Sequence, residues 1–496
     1  MSIEHFDVLI VGAGLSGIGA GVHMNKSCPN KTYAILEGRE RLGGTWDLFR
    51  YPGLRSDSDM YTLGFPFNPW NDRHSIAKGD AILKYIKDTA REYKVEDKIR
   101  YGQQIRRASW SSEDARWTVE AQAGPEHKPV RYTCNFLYMC TGYYSYEAGY
   151  MPDFPGMTRF QGALIHPQKW PEDLDYSGKR VVVIGSGATA ITLVPALAEK
   201  AAQVTMLQRS PTYVIALPDW DPFSELLRLL LPSRVASAIN RMKNVWLTMF
   251  FFQASRRWPT PVRKLLRLHA RQQVGKACDV DVHFNPKYNP WEERMCIAAN
   301  GDLFKAIRSG RASMVTDHIE TFTEHGIKLK SGQELQADII VSATGLDLIP
   351  LGGVEFSIDG ERWQAGQSMT YKGMMFRDVP NLAQATGYTN ASWTLKCDLT
   401  SQYVCRLLNY MDQHGYQYCT PRNNDPTVTE LPFVDFSSGY IQRAIDKFPK
   451  QGSKAPWRLY QNYARDIVSL RFSNLEDGTM EFSRAKKEKP VLSMAS

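Results

Sequence analysis

Three ionisable side chains stand in stretches whose composition suggests chemistry. Asp57 lies in GGTWDLFRYPGLRSDSD (43–59), His166 in FQGALIHPQKWP (160–171), and Arg294 in PWEERMCIAANGDLFKAI (290–307). Near neutral pH an arginine is a fixed cation and an aspartate a fixed anion, so each can serve a site through its charge. An imidazole can move protons near neutral pH. Each residue also has a plainer reading. Asp57 could cap a surface turn with Trp46 as a packing residue, and Arg294 could pair with Glu292 or Glu293 in a salt bridge. His166 precedes Pro167, which fixes the backbone, so it reads first as a structural, domain-coupling residue together with Trp170, and second as a proton donor.

These stretches must be held by something, and two glycine loops supply the frame. Phe6 to Val11, apolar except for Asp7, reads as a strand of a covered parallel sheet. Gly12, Gly14 and Gly17 follow in GxGxxG spacing, a helix runs on to about Met24, and the next strand, 33–36, ends in Glu37. That is the βαβ context in which a glycine loop cradles a pyrophosphate at a helix N-terminus, while the acid accepts hydrogen bonds from a ribose. The pattern recurs. Arg180 to Ile184 is a strand, Gly185, Gly187 and Ala190 give GxGxxA, and a helix follows to about Lys200. The strand 204–207 then ends in Gln208-Arg209-Ser210. An arginine where the acid would stand favours a 2′-phosphate, so the pair implies FAD at the first loop and NADPH at the second. The alternative for Arg209 is simple exposure at a strand end.

The expected fold is α/β, with two Rossmann-like dinucleotide-binding domains and a helical insertion. The expected domains are the first part of the FAD domain (1–150), connector and first NADP part (151–218), helical lid (219–290), second NADP part (291–385), second FAD part (386–484) and a flexible tail (485–496). The insertion is rich in Leu and Arg, is broken by Pro218, Pro232, Pro259 and Pro261, and contains the longest apolar run, Val245 to Phe252. It reads as a lid over the site. A basic amphipathic stretch is also what a membrane surface attracts, so peripheral attachment stays open.

Bulk properties narrow the class. The 496 residues carry a net charge of +8 and eight scattered cysteines, with no CxxC pair and no Cys/His metal spacing. This argues against a bound metal, a disulfide framework and a redox dithiol, and so against a disulfide reductase. No secretory signal is recognisable and the apolar run is too short to span a membrane, so a cytoplasmic location is expected, with peripheral membrane association as the alternative. The partners expected are small molecules and O2. No nucleic acid is expected, and the chain should be a monomer or weak oligomer.

The stretch Phe160, Gly162, His166, Trp170, Pro171 resembles the FxGxxxHxxxW(P/D) signature of Baeyer–Villiger monooxygenases. Gly43, Gly44, Trp46, Tyr51, Pro52, Gly53 and Asp57 resemble the family's second signature, GGxWxxxx(F/Y)P(G/M)xxxD. The resemblance covers nearly the whole chain. It implies that NADPH reduces FAD, that O2 forms a C4a-peroxyflavin, and that this adduct converts ketones to esters or lactones and sulfides or thioamides to S-oxides. A heteroatom-oxidising flavin monooxygenase without ketone activity is the alternative. The resemblance further implies that Arg294 stabilises the anionic intermediates and that Asp57 positions it, although Glu293 stands where some members have a lysine. It extends the FAD set to Ser16, Gly44, Thr45, Trp46, Asp57 and Ile105. The NADP set becomes Arg55, Asp57, Gly185, Ser186, Gly187, Ala188, Thr189, Ala190, Arg209 and Ser210.

Overall fold

The computed structural model describes residues 3–293, 295–433 and 438–485. The first sheet has a parallel core in which Leu382–Gln384, Lys128–Met139, Glu4–Val11, Tyr33–Leu36 and Ile99–Arg100 lie side by side. Within Glu4–Val11 the stretch from Val8 to Val11 is apolar on both faces because both are covered. Val8 and Ile10 pack with Ile18 and Val22 of the helix Leu15–Ser27, whereas Leu9 and Val11 enter a separate core around Trp117 and Val119. That second core is built by an antiparallel meander, Gln103–Ser111, Arg116–Ala123 and Lys128–Met139. The second sheet is parallel throughout, in the order Ala312–Thr316, Gln203–Gln208, Arg180–Ile184, Ile339–Ser342, Ala163–Ile165. Both glycine loops therefore leave the carboxyl ends of buried parallel strands, where open α/β sheets bind their ligands.

The insertion is helical: Pro222–Leu230, Ser233–Arg257 and Pro259–Val274. Pro222 and Pro259 each sit in a first helical turn, where the missing N–H costs nothing. The chain returns through Cys296–Ala299, which pairs with Val214–Leu217.

One expected boundary moves. The expected second NADP part ends at residue 385, yet Glu355–Ile358 pairs with the meander and Leu382–Gln384 pairs with Lys128–Met139. Phe356, Phe376 and Leu382 are buried in the first domain's core. The return strands are only two to four residues long, too short to show a period in the sequence. Arg294 lies outside the described residues, as does 486–496 of the expected tail.

Candidate functional site

At the first loop, tightness decides which residues are possible. A Cβ on Gly17 would stand 1.8 Å from the Gly12 carbonyl oxygen, so helix and loop can approach this closely only without a side chain. Gly14 caps the helix with no side-chain hydrogen bond, leaving the first-turn N–H groups to a ligand. Glu37 is buried at the end of Tyr33–Leu36, where its carboxylate accepts from the Ala13 N–H at 2.7 Å and the Arg39 N–H at 2.9 Å. Burial pushes its pKa up, and these bonds oppose the rise. One carboxylate thus ties strand end to glycine loop while lining the cavity, with acceptor capacity left for a hydroxyl. Ser16 also lines the cavity, and its hydroxyl donates to Cys397 Sγ and accepts from Trp393 Nε1 at 2.8 Å.

The stretch 43–59 is more than a surface turn. Gly44 holds φ +55° with ψ −126°, and its Cβ would lie 3.0 Å from the Gly14 Cα. This presses the Gly43-Gly44 turn against the first glycine loop. Further along, a Cβ on Gly53 would stand 2.5 Å from the Thr192 carbonyl oxygen. Phe49 and Tyr51 are buried in the second domain's core, and the Tyr51 hydroxyl faces Thr189 and Thr192. The segment is a joint between domains. Asp57 is half-buried beside it and lines the cavity with Thr45 and Trp46. Arg55 also lines the cavity, but its guanidinium is ion-paired with Asp302 and donates to the Ile297 carbonyl. Its charge is therefore partly spent within the protein.

The second loop repeats the first with more room. A Cβ on Gly185 would meet the Ala343 carbonyl oxygen at 2.3 Å, whereas one on Gly187 would meet nothing within 4 Å. The third position holds Ala190, fully buried, so this helix stands one methyl further from its strand. Ser186 donates to the Ser210 carbonyl at 3.2 Å, linking loop to strand end. Arg209 and Ser210 are exposed there. Glu293 lies close enough that Arg209 pulls its pKa down, although burial, the larger influence, raises it.

The connector is anchored by its histidine. His166 Nδ1 accepts the Gln168 N–H at 3.2 Å, which leaves Nε2 to donate to the Gly345 carbonyl at 3.0 Å. Gln168 in turn donates to the Ser145 carbonyl at 2.7 Å. Burial lowers the pKa of the imidazole, favouring the neutral form this bonding requires. The ring occupies the space a side chain at residue 149 would need, since a Cβ on Gly149 would stand 1.9 Å from His166 Cε1. Trp170 is buried in the second core, 6.5 Å from Tyr176 edge-on.

A cavity of about 520 Å³ joins the first loop, the 43–59 stretch and the start of the second domain's helix. Gly14, Glu37, Gly44, Asp57 and Ile105 come from the first domain, and Ala188, Thr189 and Thr192 from the N-terminal end of the second domain's helix. Sequence reasoning missed its aromatic wall. Tyr143 lies 5.1 Å from Trp393, Tyr146 reaches the Gly44 turn, and Tyr388 and Ser392 close the side under the lid. Arg39 was also missed; it pairs with Asp47 at 2.8 Å and lies over Tyr146. The turn Thr141-Gly142-Tyr143 at the end of Lys128–Met139 was the available signal, because strand ends carry the site. Among the described residues no group of three or more His, Cys, Asp or Glu could hold a metal.

Residues 56–350 match the model of a family described as flavin-binding monooxygenase-like, and residues 10–73 match an NAD(P)-binding Rossmann-like domain. The chain is 52% identical over 490 residues to the putative FAD-containing monooxygenase MymA of Mycobacterium tuberculosis. It is 52% identical over 489 residues to the FAD-containing monooxygenase EthA of the same species. Each alignment covers 98% of this chain and 99% of the relative. Oxidised steroid monooxygenase bound to NADP has the same fold, with a TM-score of 0.74 at 21% identity over 97% of this chain and 100% of that one.

Proposed function

The chain belongs to the flavin-binding monooxygenase-like family, and from that premise we propose an FAD-containing, NADPH- and O2-dependent Baeyer–Villiger monooxygenase. Its substrates are ketones, turned into esters or lactones, and sulfides or thioamides, turned into S-oxides. The observation that carries this reading is a cavity lined by both glycine-loop helices, in which two nucleotides can meet. The residues fit FAD at the first loop: Gly14 and Gly44 leave a side-chain-free cradle, and buried Glu37 offers an acceptor to a ribose. They fit NADPH at the second, where Gly187 faces open space and Arg209 and Ser210 are exposed to a 2′-phosphate.

When bound, FAD supplies the redox chemistry, accepting a hydride from NADPH and activating O2. The chain's own residues bind, orient and stabilise. The 43–59 joint and the His166 connector hold the two nucleotide sites in register. Asp57 orients Arg294, and the Arg294 guanidinium stabilises negative charge at the reacting oxygen. The helix Ser233–Arg257 excludes water: Val245 and Met249 pack beside Tyr388 on the cavity wall.

The test is a product screen by mass spectrometry with NADPH and linear, cyclic and aryl ketones beside a sulfide panel. Ester or lactone formation is expected. Sulfoxides without any ester would replace the proposal by a heteroatom-oxidising flavin monooxygenase.

A further inference from the structure

The lid's outer face has no role in the cavity. From Val235 to Phe252 no exposed position of the helix Ser233–Arg257 carries a polar side chain. Val235, Ile239, Met242, Trp246 and Phe250 recur at helical spacing and form one stripe. The preceding helix adds Phe223, Leu226, Leu229 and Leu230, with Leu229 77% and Phe250 69% exposed. Beside them, Tyr463 packs against the lid, and the segment it begins exposes Val468 and Phe472. Monomeric soluble proteins seldom leave so many large apolar side chains together in water.

Charge identifies the occupant. Residues 222–274 contain ten Lys or Arg and a single acid, Glu225. Some of that charge is internal, as Lys243 pairs with Asp221, and Arg267 and Arg271 share Asp281. Arg234, Arg257 and Lys264 are exposed around the stripe. We propose that these helices dock flat on an anionic membrane surface, the apolar stripe entering the interface and the cations meeting lipid headgroups. A second copy of the chain would bring like charge against like. The segment 486–496, with three lysines and one glutamate, is also basic. No helix among the described residues is long and apolar enough to cross a membrane, so the contact is interfacial.

Flotation of the FAD-loaded enzyme with vesicles tests the proposal. The enzyme should float with phosphatidylcholine mixed with phosphatidylglycerol, and much less with phosphatidylcholine alone. Trp246→Ser with Phe250→Ser should weaken binding by about tenfold or more. Arg234→Ser and Lys264→Ser should each weaken it by about fivefold. These positions are exposed, so melting temperature and NADPH oxidation in vesicle-free buffer should stay at parental values. If Trp246→Ser lowers the melting temperature, Leu229→Ser with Leu230→Ser carries the same test on the other helix. Absence of flotation, equal flotation with both compositions, or parental binding by the apolar variants overturns the proposal. So does a dimer in light scattering that the apolar variants dissolve, because the face would then belong to a second copy.

Discussion

The fit of the His166 ring against Gly149 makes the cost of one substitution depend on the background that carries it. His166→Ala removes the hydrogen bonds to Gly345 and from Gln168 and empties the ring's space. Lost bonds and cavity together should cost about 2–4 kcal/mol. Gly149→Ala alone forces a methyl within 1.9 Å of Cε1 and 2.5 Å of both ring nitrogens, so the ring must move and its bonds break. Overpacking of this kind costs about 1–3 kcal/mol. In the double variant the methyl enters vacated space, so the second substitution should cost almost nothing. The coupling should be about 1–3 kcal/mol, in the direction of rescue. Denaturant melts of the FAD-loaded enzyme measure it. Stopped-flow reduction by NADPH should slow in each single variant while FAD content stays constant. Additivity within about 0.5 kcal/mol, or reduction at the parental rate in His166→Ala, would refute the coupling role.

Three further predictions concern the titration of the same histidine and the two nucleotide loops. Because burial lowers the His166 pKa, the unfolded chain takes up that proton first. The stability from the neutral ring is complete above about pH 6.5 and is lost as pH falls below it. The melting temperature should drop on acidification, less steeply in His166→Gln; parallel curves would exclude the residue as a source. Gly17→Ala places a methyl 1.8 Å from the Gly12 oxygen, so the protein should purify without flavin absorbance. Full FAD content would contradict the tight-loop assignment. Arg209→Ala should raise the KM for NADPH by about tenfold or more and leave that for NADH nearly unchanged. Equal effects on both would remove the 2′-phosphate assignment.

Much of the frame was legible because it is local. The two glycine loops, Glu37 at a strand end and Arg209 at its counterpart follow from spacing within single βαβ units. The GxGxxA loop was readable for the same reason. What could not be read depends on contacts distant in sequence. Gly53 on Thr192, Gly149 on His166 and Trp393 on Ser16 each join residues with no shared period. The strand Gln103–Ser111 was hidden because QQIRRASWS buries only Ile105, Ala108 and Trp110. The 385 boundary failed because its strands are too short for a pattern. The lid was recognised as helical from its proline breaks and Leu/Arg composition, but only the fold showed which of its faces is exposed.

The central claim is that this cavity joins NADPH, FAD and O2 to insert one oxygen atom into a substrate. Turnover of a ketone with NADPH under 18O2 tests it most directly. The account predicts an ester or lactone carrying a single 18O, with one NADPH consumed per product. Product without the label, or NADPH consumed only to form hydrogen peroxide across the ketone and sulfide panels, would contradict it.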